Sequence, residues 1–246
     1  EDTTITTDCF NYLDFLIVVN DVPQIELTPD TLETCDNDLD GFALFDLSLA
    51  NEQILNGLNP LDFEVSYFET LANANTGSNP IATPFSYTNI NPSNQDVYVR
   101  VENIDTECYN AVTLPLLVNP LPVIVQPTPL ALCDDAVADS FTSFDLTLKN
   151  TEITVGDGSL EVVYYTTFVD AESATNAIAD PTAYTNQAIG TAAPNPQTLH
   201  VRVTDLDTGC YDLTTLTIRV LPNPTPSPDP MDLELCDDTN SGDGFE

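Results

Sequence analysis

The sequence predicts an all-β protein: tandem antiparallel β-sandwich domains in an elongated array. Three observations carry this. The first is a stretch that recurs at residues 97–122 and 199–224, with a shortened copy at 6–23. Segments 9–19, 108–118 and 210–220 align without a gap, each beginning at a cysteine. Every copy reads as a strand, an acidic turn ending in cysteine, a second strand and a proline-punctuated exit, which is a β-hairpin followed by a linker. The second is the period of roughly 100 residues, long for a solenoid and suited to small domains in series. The third is the hydrophobic fraction, 42%, placed in β-branched and aromatic runs that alternate with polar residues. Val97, Val99 and Val101 against Tyr98 and Arg100 show the two-residue period of a half-buried sheet.

Taken in order, residues 1–23 are expected to close a preceding repeat, with 15–19 as its last strand. The first full repeat is expected at 24–122. It starts with an extended run over 24–34, and its strands are predicted at 42–49, 63–68, 85–88, 97–102 and 109–118. Residues 49–55 read as a helical turn or two, and 73–80 as a loop. The segment 121–129, with three prolines in nine residues, reads as a stiff linker. The second repeat is expected at 123–223, with strands at 141–148, 160–166, 199–204 and 211–220 and an acidic stretch at 170–174. Residues 224–246 are expected to hold a linker and the start of a further repeat at 231–236. A chain that starts and stops inside a repeat is expected to be a piece of a longer array.

Forty acidic residues against four basic ones give a net charge of −36. Such a chain repels phosphate backbones and anionic lipid, so neither nucleic acid nor direct membrane contact is expected. The charge reads as a solvated coat on folded domains, compatible with divalent cations or a saline habitat. Six cysteines in repeating positions without a Cys-x-x-Cys pair predict disulfides and an oxidising compartment. Two pairings fit the counts. Within repeats they are Cys35–Cys108 and Cys133–Cys210; across linkers they are Cys9–Cys35, Cys108–Cys133 and Cys210–Cys236, at spacings of 26, 25 and 26. Each late cysteine begins a strand whose ten extended residues carry the chain roughly 33 Å away. Cystine needs Cα atoms within about 7 Å. The within-repeat pairing is therefore favoured, and would contribute about 4 kcal/mol in the chain-entropy model.

The turn Asp36-Asn-Asp-Leu-Asp-Gly41 places carboxylates at alternating positions ahead of a glycine, the arrangement a hard cation such as Ca2+ requires. A Cys35–Cys108 bond would bring Asp105 and Glu107 beside Asp36, Asp38 and Asp40. The bland alternative is a solvated acidic turn. In the second repeat, residues 134–139 lose the alternation; residues 237–244 regain it in part. Arg100 and Arg202 occupy equivalent strand positions and are expected to pair with Glu64 and Glu161 as structural ion pairs. His200 aligns with Tyr98 and reads as an ordinary strand residue. No nucleophile motif, phosphate loop or zinc-ligand cluster appears, and no enzymatic activity is expected.

Leu132-Cys-Asp-Asp135, Phe144-Asp-Leu-Thr147 and Val201-Arg-Val-Thr-Asp-Leu-Asp-Thr-Gly-Cys-Tyr-Asp212 resemble the tandem repeats of giant Bacteroidota surface proteins, in particular SprB-type gliding-motility adhesins. Asn59-Pro-Leu-Asp-Phe-Glu-Val-Ser-Tyr67 and Asn119-Pro-Leu-Pro122 fit the same pattern, so the resemblance covers nearly the whole chain. It implies Ig-like domains, export by type IX secretion and an extracellular place on the outer membrane as a filament. It supplies no catalytic residues. The leading expectation is a stalk segment whose partners are the neighbouring repeats of its own chain. One rival has the repeats themselves bind surface glycans or associate with identical filaments. Another makes them the spacer of a secreted hydrolase.

Overall fold

The structure, a computed structural model, describes residues 13–188 and 194–225. The expectations placed on Cys9, Cys236 and the turn 237–244 lie outside these residues. The chain divides into two units, Glu1–Leu121 and Pro122–Glu246. Both are mostly β-sheet and sandwich-like, as the alternation predicts.

In unit 1, strands β1 (Leu32–Cys35), β2 (Leu44–Phe45), β3 (Phe63–Phe68), β4 (Tyr87–Thr88), β5 (Asn94–Asn103) and β6 (Tyr109–Asn119) follow in sequence. Helix α1 (Asn51–Leu55) lies between β2 and β3, and α2 (Leu71–Thr76) between β3 and β4. The main sheet has the order β1-β6-β5-β3, and β2 with β4 forms a two-stranded ribbon. Val97, Val99 and Val101 of β5 are fully buried, and Leu114, Leu116 and Val118 of β6 join them in one core with Phe45, Leu47, Ile54 and Tyr87. Unit 2 repeats the order with β7 (Leu130–Cys133), β8 (Ser143–Phe144), α3 (Asn150–Ile153), β9 (Leu160–Tyr165), α4 (Phe168–Ser173), β10 (Tyr184–Thr185), β11 (Gln197–Asp205) and β12 (Tyr211–Leu221). Its core gathers Phe144, Leu146, Ile153, Tyr164, Leu199, Val201, Val203, Leu216 and Ile218.

Three expectations are corrected. The strand predicted over 42–49 is only two residues long, because Asp46 ends it: its carboxylate accepts from the Ser48 amide at 3.0 Å and starts a 3-10 turn at Leu47–Ala50. Asp145 does the same before Leu146–Lys149. The Phe-Asp-Leu-Ser/Thr string is thus a strand end plus a helix cap. Second, the loop expected over 73–80 contains most of α2, capped by Thr70 Oγ1, and the acidic stretch 170–174 lies in α4, capped by Thr167. Third, the proline-rich segments are not free spacers. β1 pairs in parallel with β6, from Leu32 opposite Leu116 to Cys35 opposite Asn119. Upstream, Ile25 enters the core, Glu26 N donates to Ile54 O at 2.9 Å, and Asn110 Nδ2 donates to Pro23 O at 3.3 Å. Unit 2 matches: β7 pairs in parallel with β12, Val125 N donates to Ile153 O at 3.0 Å, and Gln126 Nε2 donates to Thr215 Oγ1 at 3.1 Å.

Residues 15–19 carry a β6-like sequence but form no strand, and their side chains are exposed. Among the described residues they have no sheet partner.

Candidate functional site at the two ends of the last strand

Among the described residues, the cysteines and acidic turns that the sequence marked lie at one end or the other of β6 and β12. At the far end, β1 delivers Cys35 beside Asn119, and Asp36 N donates to Asn119 O at 2.8 Å. Asn119 is buried, and its Nδ2 donates to Glu33 Oε2 at 2.7 Å. The turn that follows folds around Asp36. Its Oδ1 accepts from the amides of Leu39 (2.8 Å), Asp40 (3.2 Å) and Asp38 (3.4 Å), and its Oδ2 from Gly41 (2.8 Å). Burial pushes the Asp36 carboxyl up, but these four amides outweigh it and hold the pKa below the ordinary value. Gly41 is required here: its φ is +81°, and a Cβ would meet Pro92 Cβ at 2.8 Å. The Asp38 pKa is raised by burial and by the neighbouring Asp40 and Asp36 charges.

At the near end, the β5–β6 turn is built by Asn103, whose Oδ1 accepts from the amides of Asp105 (3.1 Å) and Thr106 (2.9 Å). Asp105 and Glu107 are exposed in this turn, and Cys108 follows. In unit 2, Asp205 takes the place of Asn103, accepting from Asp207 and Thr208 ahead of Cys210. The two ends are separated by the eleven residues of β6, about 35 Å at ~3.3 Å each. The five carboxylates proposed for calcium therefore do not meet. Asp36, Asp38 and Asp40 cluster, while Asp105 and Glu107 stand at the opposite end. In unit 2, Asp134, Asp135 and Asp139 cluster in the same way despite their irregular spacing.

The same geometry overturns the within-repeat disulfides. Cys35 and Cys210 are each disulfide-bonded, whereas Cys108 and Cys133 are free thiols. Neither Cys35–Cys108 nor Cys133–Cys210 forms. The sequence reading placed the late cysteine correctly at the start of its strand. It missed that the parallel first strand puts the early cysteine beside the far end, with Cys133 opposite Leu221 as Cys35 is opposite Asn119.

The expected ion pairs are also corrected. Arg100 lies opposite Ser66, and Glu64 lies opposite Glu102. The Arg100 guanidinium pairs instead with Glu102 at 2.6 Å, donates to Ala74 O at 3.0 Å and lies 3.4 Å over the Tyr109 ring. Arg202 faces Val163, and Glu161 faces Thr204. The Arg202 guanidinium donates to Ala171 O (3.2 Å) and Glu172 O (2.9 Å) and covers the Tyr211 ring at 3.3 Å. Both arginines thus tie the helix after β3 or β9 to the tyrosine that follows the late cysteine. Among the described residues the other ion pair is Lys149–Glu152 at 2.8 Å; with the Thr128 amide it holds the Glu152 carboxyl at a pKa of about 2. His200 meets the Phe168 ring edge-on at 5.9 Å, and burial lowers its pKa.

Sequence reading passed over the buried amides. Asn89 donates to Gly41 O and accepts from Ala43 N; Asn186 treats Ser140 and Thr142 alike. Gln95 donates to the Tyr87 hydroxyl and Gln197 to that of Tyr184, each at 2.6 Å. Each unit repeats the set, and the recurring Tyr-Thr-Asn at 87–89 and 184–186 is the signal that could have found it.

Two sandwich units with cysteines placed at strand ends define a repeated, disulfide-bonded domain of the kind used in structural, multidomain extracellular proteins. The chain belongs to the Flavobacterium inter-domain disulphide bond domain family, whose profile matches residues 31–122 and again 129–226. No curated protein matches the chain. Among solved structures, it is similar to the crystal structure of Drosophila N-cadherin EC1-3, at 11% identity over 66% of this chain and 56% of that one, with a TM-score of 0.21. It is also similar to the endo-fucoidan hydrolase MfFcnA4 of glycoside hydrolase family 107, at 12% identity over 79% and 28% of the two chains, with a TM-score of 0.20. Superpositions that loose carry no argument. No helix among the described residues is long and apolar enough to cross a membrane.

Proposed function

We propose that this chain is a non-enzymatic stalk segment of a long cell-surface adhesin or filament. One observation carries the reading: each unit takes its chain in at one end and releases it at the other. In unit 1 the incoming segment meets the last strand near Cys108 and Asn110, runs parallel to it, and the chain leaves after Asn119. Unit 2 is threaded the same way, from Gln126 beside Thr215 to Leu221. A domain threaded from end to end adds its length to an array, whereas one whose termini lie together hangs from its linker. Repetition of the unit, a family defined by bonds between domains and a charge that resists lateral packing all support the same role. Export by type IX secretion, attachment to the outer membrane and a part in gliding rest on the repeat resemblance; a C-terminal sorting domain in the parent open reading frame is the expected companion.

Small-angle scattering of the chain at several concentrations tests the role. A rod whose cross-section and length do not change with concentration is expected. Lateral growth, or binding of the isolated repeats to a glycan array, would transfer the adhesive role to the repeats themselves.

A further inference from the structure

We infer that the outer edge of β3 in unit 1 is a docking groove for an extended segment of a partner protein, one that alternates apolar with basic side chains and joins the sheet as a further strand. β3 stands last in the order β1-β6-β5-β3, so the sheet pairs only one of its sides. In an antiparallel ladder, alternate residues turn their backbone groups to the partner strand. Ile104, the residue after β5, donates its amide to Asp62 O at 3.0 Å, which sets Asp62, Glu64 and Ser66 toward β5. Phe63, Val65 and Tyr67 therefore face outward. Ile81 N donates to the Tyr67 carbonyl at 2.7 Å, but among the described residues nothing takes the outward N–H and C=O groups of Phe63 and Val65. Open groups of this kind are what an added strand binds.

Beside these residues lies a cavity of about 870 Å³, lined by Leu55, Leu58, Phe63 and Val65 together with the exposed Leu49 and Glu52. The repeat does not impose it. Both units close a turn after the first helix, with Leu58 N donating to Leu55 O and Asp157 N to Thr154 O. A hydroxyl and a carboxylate thus replace two leucines in unit 2, and the cavity there is about 220 Å³. Charge selects the occupant. Asp62 and Glu64 alternate with Phe63 and Val65 and are exposed. Glu64 lies opposite Glu102, whose own partner is Arg100, and no described ion pair includes Glu52, Asp62 or Glu64. A strand laid along this edge sets every second residue beside the apolar lining and the others beside unpaired carboxylates, which basic side chains complement. A second copy of the chain, at −36, would bring carboxylates to carboxylates. In unit 2, Ser159 holds the place of Asp62, donated to by Leu206 N as Asp62 is by Ile104 N. The inference concerns one strand of one unit and is independent of the stalk reading.

The probe is a short synthetic peptide alternating valine and lysine, blocked at both ends. Its control has the same composition with the valines and lysines in separate blocks. Hydrogen exchange followed residue by residue by NMR on the whole chain gives the readout. The alternating peptide should slow exchange at the Phe63 and Val65 amides and leave Leu160 and Val162 unchanged; the block peptide, equal in charge, should protect neither pair. Leu58→Asp copies the unit 2 residue of the same turn and should weaken binding about fivefold or more, as should Val65→Pro, which removes an outward N–H and no bond to β5. Leu58→Asp decides alone if the proline variant fails to keep the inner amides of Glu64 and Ser66 protected. Absence of protection, equal protection by the block peptide or in unit 2, or unchanged affinity of Leu58→Asp would each overturn the groove. Protection that grows with protein concentration and needs no peptide would make a second copy the occupant and overturn the basic partner.

Discussion

Arg202 is the residue on which sequence and structure differ most instructively. Its recurrence at the position of Arg100 was legible, and so was the sheet face it occupies. Its partner was not, because alternation fixes a face and leaves the register open; Glu161 ends up opposite Thr204. What holds Arg202 is a pair of helix-end carbonyls and the Tyr211 ring. That combination needs a flat, forked cation. Arg202→Lys keeps the charge and loses the fork and the stack, so it should cost unit 2 about 1–2 kcal/mol. Glu161→Gln should stay within about 0.5 kcal/mol, as expected of a surface change. Urea midpoints of the two variants check this; the reverse ranking would restore the ion pair.

At the scale of elements, long strands were readable and short elements were not. β5, β6, β11 and β12 run for nine to eleven residues and show their alternation plainly. Helices α2 and α4 have six residues each, too few to display a helical period, and they are held by a threonine cap rather than by a broad apolar face. The parallel β1–β6 pair was invisible for another reason: its four residues have no local partner and are set by a strand 84 positions away. The converse case is residues 15–19, where strand-forming sequence without a partner leaves the chain exposed. The helix ends offer a test. α2 ends at Gly77 with φ +67°, while α4 ends at Ala174 with φ +52°, a left-handed position that a Cβ disfavours. Ala174→Gly should therefore raise the stability of unit 2 by about 0.5–1 kcal/mol, and Gly77→Ala should lower that of unit 1 by about 1 kcal/mol. Crowding does not confuse the second variant, since a Cβ there meets only Arg100 Cζ at 4.0 Å. Denaturant midpoints of both variants decide the matter; no gain in Ala174→Gly would mean that the αL strain is absent.

For the whole molecule, the repeat and its sandwich class were legible in composition and period, while the place of each early cysteine in its unit was not, because it depends on a parallel pairing that no local pattern announces. The net charge of −36 is the other property at this scale, and it acts on every element together. Carboxylates that repel one another in the folded chain lie farther apart once it unfolds, so the charge destabilises the native state, and screening should relieve it. The screening length falls from about 30 Å at 0.01 M salt to about 3 Å at 1 M. Melting temperatures of both units should therefore rise with sodium chloride across that range. Calcium and magnesium chloride separate screening from binding when compared at matched ionic strength. Both Asp36 oxygens already accept backbone amides, and Asp40 Oδ1 accepts from the Phe42 amide at 2.8 Å, so few carboxylate oxygens of that turn are left for an ion. A calcium site wants six to eight oxygens, so the few left on an exposed turn should not discriminate between the ions. Equal stabilisation by the two salts is the expected result. A rise specific to calcium that disappears in Asp38→Asn would instead make the Asp36–Gly41 turn a true cation site, with the repulsion around Asp38 as the feature that the ion relieves.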